Sequence, residues 1–135
     1  MNIYLNFAGN CREVFDFYRT VFGGDFENVQ TFADGPAEMN IPETHLDHIM
    51  HMSLPLGDGI LMGSDIFPGQ PLTVGNNFSI LVPANDRAQC DEVFAKLSAG
   101  GEVVMPLEET FWGSYFGQCT DRYGINWMVD LEMGG

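Results

Sequence analysis

Cys11-Arg12-Glu13-Val14-Phe15 and Cys90-Asp91-Glu92-Val93-Phe94 share the pattern Cys-x-Glu-Val-Phe, and each leads into a helical pattern closed by paired glycines, Gly23-Gly24 and Gly100-Gly101. A repeated unit with a repeated stop predicts two similar halves, a design that places a ligand site where both halves contribute side chains. Outward from the first copy, residues 3–7 form an apolar strand pattern, and Asn10 with Glu13 has the form of a capping box. Cys11, Val14, Phe15, Tyr18, Val21 and Phe22 follow helical spacing and define one buried stripe. Gly23-Gly24 ends that helix, residues 26–32 read as a strand, and residues 34–47, with two prolines and a glycine, read as an exposed loop. Strands at 48–54 and 60–62 flank Asp58-Gly59, a hairpin turn signal.

The second half repeats the order. Residues 77–82 form a strand pattern, Asp86 with Gln89 offers another capping box, and Cys90, Val93, Phe94 and Leu97 form the helix stripe. Strands follow at 102–105, 114–120 and 125–130, the last after the turn Asp121-Arg122-Tyr123-Gly124. Both halves read β-α-β-β-β: a single domain over 1–135, with modules at 1–66 and 77–135 joined by a linker at 67–76 containing Phe67-Pro68-Gly69-Gln70-Pro71. The class is α+β. One helix covers one face of each four-stranded sheet, so the other faces are expected to curl toward each other into a cleft. Open sheet edges must be paired or covered, which predicts a homodimer.

Composition excludes several partners. Five Lys+Arg against 19 Asp+Glu, a net charge of -14, repels nucleic acid and anionic lipid. No apolar run approaches the roughly 20 residues of a membrane helix, and the start Met1-Asn2-Ile3-Tyr4 lacks the basic, then apolar, pattern of a signal peptide. Cys11, Cys90 and Cys119 are odd in number and form no CxxC, so a reducing, cytoplasmic setting is expected.

Four stretches carry a family resemblance: Phe17-Tyr18-Arg19-Thr20-Val21-Phe22-Gly23-Gly24, His48-Ile49-Met50-His51, Leu61-Met62-Gly63-Ser64-Asp65, and Phe111-Trp112-Gly113-Ser114-Tyr115-Phe116-Gly117 continuing to Asp121-Arg122-Tyr123-Gly124-Ile125-Asn126-Trp127. With them the chain resembles the vicinal oxygen chelate superfamily, the glyoxalase/bleomycin-resistance/dioxygenase proteins, and within it the PhnB-like branch. The resemblance implies paired βαβββ modules forming a cupped eight-stranded sheet, and a dimer. It also implies, for members that do chemistry, a divalent metal held by His, Gln or Glu from four strands. Carried onto this chain, those positions fall at Ile3 or Tyr4, Leu61 or Met62, Asn77 or Phe78, and Trp127 or Met128. None is His, Asp or Glu, so no metal and no cofactor is expected. A shift of two residues on the last strand would bring in Asp130.

The candidate ligand-binding residues are His51, Met62, Asp65, Asn77, Trp112, Tyr115 and Met128. His48 and His51, three apart on a strand, point to opposite faces, and His51, with apolar neighbours, is the one expected to anchor a ligand or act as a weak base. Trp112 and Tyr115 suit the rim of a cavity, while Trp127 packs beneath a helix. Asp65 either orients a donor on a ligand or caps a turn. Met62, Met105 and Met128, with Met50 and Met52, either line a soft site or fill the core. Cys119 has no visible base beside it. Catalytic residues are not identified, and no Gly-rich nucleotide loop or Gly-x-Ser-x-Gly elbow is present.

The leading expectation is a metal-free, homodimeric protein that binds a small molecule of unknown identity. The alternative is a metal-dependent isomerase, thiol transferase or dioxygenase of the same fold, using Asp130, Glu132 or His51. A third reading is an acidic module that engages a basic protein.

Overall fold

Each half of the computed structural model, which describes residues 2–133, is a four-stranded sheet with one helix laid on one face. The first contains β1 (Ile3–Phe7), α1 (Cys11–Phe22), β2 (Glu27–Thr31), β3 (Ile49–Leu56) and β4 (Gly59–Asp65). The second contains β5 (Ile80–Pro83), α2 (Arg87–Ser98), β6 (Glu102–Glu109), β7 (Ser114–Thr120) and β8 (Asn126–Glu132). Strand orders are β1-β4-β3-β2 and β5-β8-β7-β6, with β1/β4 and β5/β8 parallel and the other neighbours antiparallel. The compact units divide between Thr73 and Val74. The architecture is therefore α+β and built of two βαβββ modules, as the repeated element order predicts. No helix among the described residues is long and apolar enough to cross a membrane.

The repeated pentapeptide marks a packing face. Cys11, Val14, Phe15 and Tyr18 on α1, and Cys90, Val93, Phe94 and Leu97 on α2, are buried. It does not mark the helix start, since it begins at the first residue of α1 but at the fourth of α2. Burying such a stripe supplies most of the stability a short helix has. The sheets make room differently. At Gly63 on β4 a Cβ would lie 2.6 Å from the Phe15 ring, whereas in the second half Gly117 on β7 gives the space, with a Cβ there 2.9 Å from Phe94.

Three expectations change. Asn10 stands at the N-cap of α1 but makes no side-chain cap bond; Asp65 takes the backbone N–H groups of Gly9 and Cys11 instead. Asp86 does cap α2, accepting from Gln89 N at 2.8 Å, while Gln89 Oε1 accepts from Asn85 N at 2.7 Å. The strand expected at 77–82 begins only at Ile80, which leaves Asn77 in an exposed bend. β6 runs on through Pro106 to Glu109, which is possible because it is an edge strand where a missing N–H costs no ladder bond.

Candidate functional site

Pairing registers decide which side chains share the sheet face away from the helix. In the first half Leu5, Leu61 and Gly63 turn toward α1, so Tyr4 and its partner Met62 face the other way. Ser53, opposite Met62, and His51, two residues before it, lie on that same open face, and Gln30 is paired with His51. His51 sits between two hydroxyls, with Tyr4 Oη 3.3 Å from Nδ1 and Ser53 Oγ 3.3 Å from Nε2. A neutral imidazole offers one donor and one acceptor, and either hydroxyl can take the complementary role. The Tyr4 and His51 rings lie 5.7 Å apart at 33°. The result is a hydrogen-bonding strip beside the Met62 thioether.

In the second half Cys119, Gly117 and Tyr115 turn toward α2, so Phe116 and Gln118 occupy the open face with Met128, which pairs with both Gln118 and Leu81. The two ladders match position by position: Tyr4 corresponds to Leu81, Met62 to Met128, His51 to Phe116, Ser53 to Gln118, Gln30 to Glu108 and Ser64 to Asp130. Methionine recurs at one pair. At four of the other five pairs a hydrogen-bonding group in the first half gives way to an apolar or acidic one in the second, Ser53 to Gln118 being the exception.

The sequence candidates therefore separate. His51 and Met62 share the first open face, and Met128 lies on the second. Trp112, in the β6–β7 turn, packs edge-on against Phe116 at 5.9 Å. Tyr115 is on the helix side, its hydroxyl donating to Asp91 at 2.6 Å and its ring beneath the Arg87 guanidinium at 3.9 Å. That hydrogen bond, more than partial burial and the nearby Asp91 charge, pushes its phenol pKa up. Asp65 is buried, and its carboxylate is occupied by the N–H groups of Gly9, Cys11 and Ile49, so it holds backbone and does not face a ligand. Asn77 lies on no strand. Tyr4, Ser53, Leu81 and Phe116 share these faces although the sequence did not single them out as ligand-binding candidates. For Phe116 the sequence carried no signal of its face, because its neighbour Tyr115 is aromatic as well.

Asn77 and Phe78, expected on the fifth strand, lie before it, and on the strands as they pair the matched open-face positions are Tyr4 with Met62 and Leu81 with Met128. A phenol, two thioethers and an alkyl group are a poor donor set for hard or borderline divalent ions. Among the described residues no group of three or more His, Cys, Asp or Glu is arranged to hold a metal. The thiols offer no nucleophile either. All three cysteines are free and buried, and burial, reinforced by Asp121, pushes Cys119 up to about 11. Burial first and then Asp65 raise Cys11 further, and burial likewise raises Cys90.

Residues 1–130 match the model of a family described as 3-demethylubiquinone-9 3-methyltransferase. The chain is similar to protein PA1353 from Pseudomonas aeruginosa, at 40% identity and a TM-score of 0.88, covering 99% of this chain and 98% of that one. The PhnB protein from Bacillus cereus is 23% identical with a TM-score of 0.80, covering 97% of this chain and 98% of that chain. A glyoxalase/bleomycin resistance protein/dioxygenase family enzyme from Burkholderia phytofirmans PsJN shares the fold at 15% identity and a TM-score of 0.64, over 98% of this chain and 96% of that chain.

Proposed function

Because the chain belongs to the 3-demethylubiquinone-9 3-methyltransferase family, the PhnB-like branch of the vicinal oxygen chelate superfamily, we propose that it binds a small organic molecule on its open sheet faces and does so without a metal. The observation that carries this reading is the pair of matched positions, Tyr4 with Met62 and Leu81 with Met128, where chelating side chains would be needed and none stands. Around them the faces provide what a ligand site uses: an apolar and aromatic surface with a few fixed polar groups, here Tyr4 and His51, with the buried Ser53 behind His51.

Methyl transfer, the activity in the family's description, needs a second site for the methyl donor. The strand-to-helix turns where a glycine-rich loop would lie are residues 8–10 and 84–86. In the first, the N–H groups of Gly9 and Cys11 are bound to Asp65, which leaves those donors no role in cradling an anionic group. The metal-dependent alternative rests on Asp130 and Glu132, which share a strand face with Met128, or on His51 of the first half. Elemental analysis of protein purified without chelators decides between the readings. Substoichiometric metal, with thermal stabilisation by planar organic probes unaffected by EDTA, is expected; one divalent ion per chain with activity that follows it would overturn the proposal.

The same reading includes a symmetric dimer in a reducing, cytoplasmic setting. Its support is the β6 edge, where Val103, Val104 and Met105 are exposed. A stable monomer in sedimentation at micromolar concentration would remove that part.

A further inference from the structure

All five basic side chains lie on the helix side of the sheets. Arg12 and Arg19 are on α1, Arg87 and Lys96 on α2, and Arg122 donates to Ala99 O at the end of α2. Arg19 stands over the Phe26 ring, Arg87 pairs with Glu109, and Lys96 pairs with Glu92. Neither open face carries a Lys or Arg.

On the second open face the ladder sets Phe116 between two carboxylates, paired with Glu108 on β6 and with Asp130 on β8. Directly opposed residues have Cβ atoms about 5 Å apart, so the ring and both acids present one surface. Trp112 extends the aromatic part, meeting Phe116 at 67°, and is itself 54% exposed. Neither Glu108 nor Asp130 forms an ion pair with a described residue.

We propose that this face binds an organic cation with a flat apolar body, a protonated aromatic amine by class, with Phe116 and Trp112 holding the body and Glu108 and Asp130 the charge. The inference rests on the small-molecule reading above and adds the sign of the ligand's charge. An anion would meet two carboxylates and no cation. A neutral ligand laid on Phe116 would strip water from the half-buried Asp130 without giving it a counter-charge, a cost that a cation offsets. Aromatic faces attract cations on their own account, and the net charge of -14 adds a field that draws them in.

Isothermal titration with probes of matched shape tests this: 9-aminoacridine as the cation, acridine as the neutral body and acridine-9-carboxylate as the anion, at neutral to slightly alkaline pH. The expected order is cation, then neutral, then anion, with the cation's affinity falling as salt rises. Asp130→Asn and Glu108→Gln should each weaken 9-aminoacridine by up to about fivefold and leave acridine unchanged. Phe116→Leu should weaken the cation by roughly tenfold. Asp58→Asn, in the β3–β4 turn, makes the same change in net charge away from the face and should alter nothing. Equal binding of acridine and 9-aminoacridine, or an Asp58→Asn effect as large as that of Asp130→Asn, would overturn the charge assignment while small-molecule binding stands. If none of the probes binds to folded protein, the inference fails and the binding reading loses its support as well.

Discussion

Asp65 accepts the N–H groups of Gly9 and Cys11 through one oxygen and that of Ile49 through the other, at 2.8 to 3.0 Å. One buried carboxylate thus ties the end of β4 to the start of α1 and the start of β3. Asp121 works similarly at the β7–β8 turn, taking Tyr123 N, Ile125 N and the indole N–H of Trp127. Replacing Asp65 by Ala leaves three backbone donors to be satisfied another way and should cost roughly 3–5 kcal/mol in urea unfolding, whereas Asn10→Ala should cost under about 0.5. Local spacing pointed to Asn10 as the cap because the true acceptor lies 54 residues away from Cys11 in sequence, where no local pattern reaches it. The cysteines make a second prediction at this scale. Their thiols are raised above the ordinary value of 9.0, so the folded chain holds protons that the unfolded chain releases. The stability they contribute is complete below about pH 9 and is lost as pH rises through the folded value of Cys119, about 11. Native protein should accordingly resist thiol reagents at neutral pH and react fully once denatured.

Helix and strand contacts were legible in type but not in detail. The Cys-x-Glu-Val-Phe repeat located both buried helix faces because period 3.6 survives without knowledge of the partner. Parity on β7 did not, since Trp112, Tyr115 and Phe116 place aromatic rings on both faces of the segment, and only packing under α2 assigns Tyr115 inward. Glycines test this packing. Gly63→Ala pushes a methyl group to 2.6 Å from the Phe15 ring, in a close-packed layer, and should cost about 1–3 kcal/mol. Gly101→Ala drives its Cβ against Thr120 O and the backbone of Asp121, so the loss should be larger and the melting transition should fall further. Gly23, with φ 76° and ψ -166°, sits in a backbone region essentially reserved for glycine, so its change to Ala should cost roughly 1–3 kcal/mol through backbone strain alone, nothing lying within 4 Å of a Cβ.

Across the whole chain, the two halves share an architecture and differ in chemistry. Both modules have a parallel pair of strands, a Met at the matched positions 62 and 128, and a buried helix face carrying the pattern Cys-x-Glu-Val-Phe. His51 against Phe116 and Ser64 against Asp130 show where they diverged. The order of elements and the family were readable because they depend on periodicity and on long motifs. Site membership was readable only in part, because one residue of strand register moves a side chain to the other face, as at Tyr115, and because the fifth strand begins only at Ile80, which leaves Asn77 off the sheet. The most direct test of the central claim, ligand binding without a metal, is the dissociation constant for 9-aminoacridine measured by titration before and after exhaustive EDTA treatment. The account predicts the same value in both; an affinity lost on stripping and restored by a divalent ion would contradict it.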